Sequence, residues 1–150
     1  MERGDRRISI WVRKMIFLDS SFLVSVEVEY DQNHERAIKI RDDIIRGRYG
    51  GTFISDYIFD ETITVTFGRT KNLQKAVLVG LRLKASAELL KVDESIFESA
   101  WERFQKQKNT KFSFTDCTIL SIMDRNEIEN IATFDEDFKK IKGINVVGIE

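Results

Sequence analysis

The sequence predicts an α/β protein built around a central, mainly parallel sheet. Short apolar runs alternate along the chain with amphipathic stretches at helical spacing, the pattern of parallel strands joined by helices. A length of 150 residues favours one domain. Hydrophobic residues make up 42% of the chain and charged residues 33%, a balance typical of a folded chain rather than a disordered one.

The first third of the chain contains two strand candidates separated by helical sequence. Residues 15–18 form an apolar run that ends at Asp19, as a buried parallel strand does. Asp19, or one of the two serines after it, can cap the helix that follows. A second amphipathic helix is predicted over residues 33–46, because apolar residues recur there at helical spacing and glycines follow. Residues 52–55 form the second strand candidate.

The segment 56–67 allows two interpretations. From Ile63 onward its apolar residues alternate with threonines, which locally predicts a strand. The spacing from Ile58 through Glu61 to Val65 also suits a helix. Local pattern alone leaves both open.

The rest of the chain continues the alternation. Helices are predicted over residues 76–83, 95–107 and 115–126, and strands over residues 88–92, 130–134 and 145–149. In the 95–107 helix the apolar stripe consists of Phe97, Ala100, Trp101 and Phe104. In the 115–126 helix the residues predicted to face inward are Cys117, Ile119, Leu120 and Met123.

Composition and charge exclude several classes of protein. The 24 basic and 25 acidic residues sum to −1, which excludes a histone-like polyelectrolyte and argues against binding nucleic acid by bulk charge. Cys117 is the single cysteine, so an intrachain disulfide and a multi-cysteine zinc site are excluded. The single histidine, His34, excludes a histidine-rich metal site. No apolar stretch is long enough to cross a bilayer, and we expect a cytoplasmic protein with no membrane partner.

Residues 1–14 are interpreted as an N-terminal extension ahead of a domain at residues 15–150. The extension is rich in arginine and directly precedes a second methionine, Met15. Three interpretations stay open for it: a true extension, a remnant of a misplaced start, or an extra edge strand through residues 8–12.

Four acids fall where a parallel α/β sheet builds its binding site. Asp19 ends the first strand, Asp135 follows the 130–134 strand, Asp116 begins a helix and Glu61 follows the second strand. Each acid alone is explained as a helix cap, a turn residue or a solvated side chain. Together they would repel one another unless a cation neutralised them. Mg²⁺ and Mn²⁺ prefer oxygen ligands and assist phosphoryl displacement, which indicates phosphodiester chemistry.

Four segments carry a resemblance to a known family. Their sequences are MIFLDSSFLVS at 15–25, SDYIFDETITVTFG at 55–68, FSFTDCTILSIMDRNEI at 112–128 and IATFDEDFKKIKGINVV at 131–147. In this order the segments resemble PIN-domain proteins, the family that includes VapC-type toxins of toxin–antitoxin pairs. The resemblance implies a single three-layer α/β/α domain, and it implies that residues 56–67 are helical.

The resemblance also implies roles for individual residues. Asp19, Glu61 and Asp116 match the three core acids of the family, and Asp135 matches a more variable fourth. Asp137 is an alternative for the fourth acid, and Asp60 competes weakly with Glu61. Small polar residues beside the expected metal site are Ser20, Thr115 and Thr133.

Proteins that this chain resembles are Mg²⁺- or Mn²⁺-dependent endoribonucleases. The implied catalytic and metal-binding set has Asp19 and Asp116 holding the ion directly, while Glu61 and Asp135 complete its shell. The implied partners are an RNA substrate, a cognate antitoxin and a second copy of the chain. The main alternative is a non-catalytic PIN-like module that binds RNA or protein. A phosphotransfer or receiver domain is a weaker alternative, because the paired acids that it needs are missing.

Two basic stretches without acids, residues 62–87 and 103–111, are candidates for RNA contact. The residues predicted to bind RNA are Arg69, Lys71, Lys106, Lys108 and Lys111. The alternative is that they belong to ordinary solvated helix faces. Within the first stretch, apolar residues form either a dimer contact, as in similar proteins, or part of the core; they are Val77, Leu78, Leu81 and Leu83.

Overall fold

The computed structural model describes residues 14–149, so the extension predicted at residues 1–14 lies outside the described part except for Lys14. The strands are β1 (Met15–Leu18), β2 (Gly51–Ser55), β3 (Glu88–Leu90), β4 (Asn130–Ala132) and β5 (Asn145–Val147). The helices are α1 (Ser20–Glu27), α2 (His34–Ile45), α3 (Asp56–Thr70), α4 (Leu73–Ser86), α5 (Glu94–Lys106) and α6 (Phe114–Arg125), with a 3₁₀ helix at Glu136–Lys140.

The five strands form one parallel sheet in the order β3-β2-β1-β4-β5. The chain moves outward from β1 to β3 and then returns to the other side of β1 as β4. Because parallel crossovers are right-handed, the helices after β1 and β2 cover one face, and α5 and α6 cover the other. The predicted three-layer α/β/α fold is confirmed. The strand order reverses between β1 and β4, the kind of position where such sheets bind ligands.

The core lies along β1, β4 and helix α6. Ile16 and Phe17 of β1 and Ile131 of β4 are fully buried, as the run of apolar residues predicts for central parallel strands. All four residues predicted to face inward on α6 are buried. Cys117 is among them and fills space in the core.

Residues 56–70 are helical despite their local strand propensity. Ser55 caps the helix by accepting a hydrogen bond from the Ile58 backbone nitrogen at 3.1 Å. Ile58, Thr62 and Thr66 form a fully buried stripe at helical spacing, and α3 packs against α1 and α4. Burial of this stripe outweighs the preference of threonine and valine for strands. The helix implied by the family resemblance is therefore confirmed.

The prediction of which residues form the buried face of α5 is only partly correct. Ile96 and Ala100 are buried, whereas Phe97, Trp101 and Phe104 are 37–48% exposed. The buried stripe is centred on the smaller side chains, and the aromatic rings lie at its edge. Trp101 stacks on Phe104 there, with ring centroids 5.9 Å apart.

Among residues 14–149, no helix combines the length and the apolar character that a membrane span requires.

Candidate functional site

The four candidate acids are carried by the ends of adjacent elements. Asp19 is the N-cap of α1 directly after β1, and Asp135 is the N-cap of the 3₁₀ helix that follows β4. Asp116 lies in the first turn of α6, and Glu61 lies in α3. Since β1 and β4 are neighbours at the reversal of strand order, Asp19 and Asp135 lie at the same edge of the sheet.

Asp19 is a buried carboxylate with three hydrogen-bond donors. It accepts hydrogen bonds from the Ser20 backbone nitrogen at 2.8 Å, Ser21 Oγ at 2.9 Å and Thr133 Oγ1 at 2.7 Å. Burial raises its pKa above the ordinary aspartate value; the hydroxyl hydrogen bonds act in the opposite direction, and the charge of Glu61 adds to the rise. The site therefore holds this carboxyl in one orientation but disfavours its negative charge.

Thr133 connects Asp19 to the loop of the fourth acid. Its hydroxyl donates to Asp19 Oδ2 and accepts the Asp135 backbone N–H at 3.0 Å. The Asp135 carboxylate in turn accepts the backbone N–H of Asp137 at 2.9 Å. Thr133 thus lies between two of the candidate acids.

Ser21 is a residue of the site that sequence reasoning missed. Its Oγ donates to Asp19 Oδ2, lies 3.2 Å from Thr133 Oγ1 and accepts the Phe134 backbone N–H at 3.1 Å. It therefore joins the loop after β1 to the loop after β4. The serine pair directly after Asp19 is the sequence signal for this role, but local pattern does not distinguish a serine that bridges two loops from one that caps a helix.

Glu61 is connected to the first acid through Ser20. The Ser20 hydroxyl donates to Glu61 Oε1, which connects α1 to α3 beside Asp19. The competing residue, Asp60, is exposed and accepts a hydrogen bond from Thr64 within its own helix at 3.2 Å. This placement favours Glu61 over Asp60 as the third acid.

Asp116 begins its helix in a capping box. Its Oδ2 accepts the Ser113 backbone N–H, and Ser113 Oγ accepts the Asp116 backbone N–H, both at 3.0 Å. Burial, with the charges of Asp19 and Asp135, raises the pKa of Asp116 to about 7. Asp116 is therefore electrostatically coupled to acids on two other elements. Thr115, beside it, is half-buried, and its carbonyl accepts the Thr118 hydroxyl.

Asp137 lies in a different environment from the other acids. It pairs with Lys140 Nζ at 2.9 Å and accepts the Lys111 backbone N–H at 2.7 Å. The Lys140 hydrogen bond holds the pKa of Asp137 below its ordinary value. This carboxylate stabilises a loop, which favours Asp135 as the fourth acid.

The donor set fits a hard divalent cation. Every candidate ligand is a carboxylate, and the pKa of Asp19 and that of Asp116 are both raised, with neighbouring carboxylates contributing. Within residues 14–149 no three of these groups already surround one point. The carboxylates stay apart because like charges repel. Glu61 accepts a hydrogen bond from Ser20, and Asp116 accepts one from the Ser113 backbone. The single histidine, His34, is not one of the candidate metal ligands, because its ring hydrogen-bonds to the Ser25 carbonyl.

The predicted RNA-binding residues divide into two groups. Arg69 pairs with Asp31 at 2.7 Å and lies over the Tyr30 ring at 5.3 Å, so it connects α3 to the loop after α1. Lys71 ends α3 in the left-handed conformation. The other group, Lys106, Lys108 and Lys111, lies at the end of α5 and in the loop before Asp116.

The fold is a three-layer α/β/α domain with a parallel sheet, and its candidate acids lie where the strand order reverses. These features define an α/β protein with an acid-lined site at the edge of its sheet. The chain belongs to the PIN domain family, whose sequence pattern matches residues 16–144. The resemblance inferred from the sequence is confirmed, and the phosphotransfer and receiver alternatives are removed.

Relatives within the family are similar over most of the chain. The 23S rRNA-specific endonuclease VapC20 of Mycobacterium tuberculosis is 26% identical over 124 residues, which cover 83% of this chain and 92% of VapC20. The crystal structure of VapC20, described as a sarcin–ricin loop cleaving toxin, matches with a TM-score of 0.72 at 25% identity and covers 83% of this chain and 93% of that one. A toxin–antitoxin complex from Klebsiella pneumoniae matches with a TM-score of 0.60 at 17% identity, over 88% of this chain and 95% of that one.

Proposed function

We propose that the protein is a Mg²⁺- or Mn²⁺-dependent endoribonuclease and the toxin of a toxin–antitoxin pair. The observation that carries this proposal is the acid cluster itself: Thr133 joins Asp19 to the loop of Asp135, and Ser20 joins the helix after Asp19 to Glu61. Burial, with smaller contributions from the charges of Asp19 and Asp135, raises the pKa of Asp116 to about 7. The enzyme class predicted from the sequence, a nuclease, agrees with the activity in the name of VapC20.

Asp19 and Asp116 would hold the ion directly, and Glu61 and Asp135 would complete its shell. A bound divalent ion supplies an activated water and offsets charge that develops on the scissile phosphate. Ser21 and Thr133 keep the Asp19 carboxylate in one orientation, because both hydroxyls lie within 3 Å of Oδ2.

RNA is the proposed substrate. VapC20 is named as a 23S rRNA-specific endonuclease and as a sarcin–ricin loop cleaving toxin, so an RNA containing that loop is the first substrate to test. A cognate antitoxin is the proposed protein partner, supported by the similarity of the fold to a chain of a toxin–antitoxin complex.

A homodimer is proposed through the outer face of α4. Leu73, Val77, Leu78 and Leu81 are 50–61% exposed, whereas Leu83 points into the core. Core packing thus accounts for only one of the four apolar residues singled out in the sequence. An exposed apolar helix face of this kind is typical of a surface that contacts another protein. A second copy of the chain is the simplest protein to cover it.

The deciding experiment measures cleavage of a sarcin–ricin loop RNA and of an unstructured RNA, with Mg²⁺, with Mn²⁺ and with EDTA. Asp19→Asn, Glu61→Gln and Asp116→Asn should each lower the cleavage rate by two orders of magnitude or more, on the order of 3 kcal/mol in transition-state stabilisation. Asp60→Asn is the matched control, because it removes the neighbouring exposed carboxylate and should keep the wild-type rate. Undiminished cleavage by the three variants, or cleavage in EDTA, would rule out the mechanism. Metal-dependent RNA binding without cleavage would favour the non-catalytic module.

A further inference from the structure

An open groove of about 940 Å³ lies between α2 and α4, with α1 and β2 beneath it. This volume is within the roughly 300–1,000 Å³ of ligand pockets. The floor consists of buried core residues, but both walls carry accessible apolar side chains. Ile45 on α2 is 73% exposed, Ile44 beside it is half-buried, and Ala85 on α4 is exposed. An accessible apolar groove is typical of a surface that another segment or molecule covers.

The described part of the chain begins at one end of this groove. The Lys14 carbonyl accepts the Gly51 backbone N–H at 3.1 Å, and Gly50 and Gly51 both line the groove. Gly50 has φ 79°, and a Cβ on it would overlap the Lys14 carbonyl. Glycine therefore allows the chain before β1 to lie directly against the groove wall. The N-terminal segment (residues 1–13) is covalently attached at this point.

The composition of the N-terminal segment suits an apolar groove. Its apolar residues are concentrated close to the attachment point; they are Ile8, Ile10, Trp11 and Val12. They precede Lys14 by two to six positions, so an extended chain places the most distant of them within roughly 20 Å of it. Burying one tryptophan ring removes about 150–250 Å² of surface from water. The segment thus has both the reach and the apolar surface to cover the groove.

The charges at the groove favour a basic occupant. Its lining contains two arginines, and each is already paired with an acid: Arg82 with Glu27 at 3.2 Å, and Arg41 with Asp42 at 3.1 Å. Glu88, at the start of β3, also lines the groove and makes no ion pair in the part of the chain that the structure describes. The N-terminal segment contains four arginines and two acids, a net charge of +2. Its charge is therefore complementary to the unpaired carboxylate.

We propose that the N-terminal segment of the chain covers this groove, with residues 8–12 against the apolar walls and an arginine beside Glu88. A tethered segment binds at a high effective concentration, so weak contacts suffice. The groove is then closed to other partners until the segment is displaced, which makes the segment a built-in competitor for this surface. None of the four candidate acids lines the groove, so the inference is independent of the proposed nuclease activity.

The test follows the fluorescence of Trp11 in the full chain. The sequence contains two tryptophans, so Trp101→Phe leaves Trp11 as the only one. Acrylamide should quench Trp11 severalfold less in the folded protein than in concentrated urea. Ile45→Lys and Ala85→Lys, each made in this background, place a charge on opposite walls and repel the basic segment. Either variant should raise the quenching towards its value in urea.

Matched variants control for each substitution. Leu81→Lys changes an exposed apolar residue outside the groove and should keep Trp11 protected. Glu88→Gln should weaken the protection and make it less sensitive to salt, because it removes the unpaired charge. Glu98→Gln, which removes an exposed acid on α5, should change neither property. Melting temperatures should stay near that of the wild type, since Ile45 and Ala85 are exposed.

Three results would overturn the inference. Equal quenching of Trp11 in the folded and unfolded chains would show that the segment covers no surface. Protection that survives both Ile45→Lys and Ala85→Lys would place the segment elsewhere, such as on a sheet edge. Protection that is lost on dilution would show that the groove is covered by a second copy of the chain. RNA cleavage enters none of these measurements, so this inference and the proposed function can fail separately.

Discussion

The carboxyl group of Asp116 shows how the fold changes the chemistry of one side chain. In the sequence it is an ordinary acid at the start of a helix, and in the structure it does take part in a capping box. Burial and the charges of Asp19 and Asp135 raise its pKa to about 7. The same residue therefore caps a helix and belongs to a charge-coupled cluster.

This shift predicts how stability depends on pH in the absence of metal. A carboxyl whose pKa rises from 3.8 to about 7 on folding binds more protons in the folded state between these values. The free energy of unfolding should therefore fall as pH rises from 4 to 7.5. Part of the carboxyl stays solvated, so we expect a loss of roughly 2 kcal/mol from this group, about half of what the full shift implies.

Urea denaturation in EDTA at pH 4.5 and 7.5 measures this loss. The wild type should lose more stability over the interval than Asp116→Asn, which has no proton to release at this position. Asp60→Asn should behave like the wild type. Equal pH dependence of the wild type and Asp116→Asn would contradict the prediction.

Ser21 is the second residue whose importance emerges from contacts. Ser21→Ala removes a donor to the Asp19 carboxylate and leaves the Phe134 backbone N–H without its partner. The expected loss of stability is about 1–3 kcal/mol, the usual effect of removing a partner from buried polar groups. Denaturant titration measures it; Ser21→Thr should recover most of the loss, and Ser95→Ala on exposed α5 should cost little. A neutral Ser21→Ala would show that the bridge between the two loops is dispensable.

At the scale of elements, α3 and α5 show the limits of local pattern. Alternating threonines predicted a strand after Ile63, but a buried stripe on α3 decides for the helix. On α5 the predicted apolar stripe included Ala100, which is buried, but its three aromatic residues are partly exposed and Ile96 is the second buried residue. In both cases packing against other helices, which the residue pattern of one element does not contain, determines the outcome.

The C-terminal end of α3 offers a prediction for a single element. Lys71 caps the helix at φ 54°, with its backbone N–H bonded to the Phe67 carbonyl at 2.8 Å. Glycine adopts this conformation without strain, so Lys71→Gly should raise stability by about 0.5–1 kcal/mol. Lys71→Ala keeps the strain and is the control, with a melting temperature near that of the wild type. A destabilised glycine variant would indicate that the lysine side chain itself stabilises the helix end.

At the scale of the whole molecule, the exposed face of α4 predicts self-association. Leu81→Glu places a charge on this face and should convert a dimer to a monomer, measured by size-exclusion chromatography with light scattering. Ile45→Glu is the matched control, because Ile45 is also an exposed apolar residue but lies on α2. A wild type that stays monomeric at high concentration would contradict the homodimer.

The sequence by itself determined the α/β class, the order of the elements and the identity of the four candidate acids. These follow from periodicity, from caps and from the position of polar residues after apolar runs, all of which are local. The family resemblance added the three-layer arrangement and the helix at 56–67, and both agree with the structure.

Only the tertiary structure decided which polar residues act together. The bridge that Ser21 forms between two loops and the ion pair of Arg69 depend on contacts between residues that are 38 or more positions apart. The choice between Asp135 and Asp137 depends on how the turn at Asp137 is anchored to another loop. Burial and the field of neighbouring charges, which raise the pKa of Asp116, likewise exist only once β1, β4 and α6 are packed together. Long-range proximity is the physical quantity that local pattern does not contain.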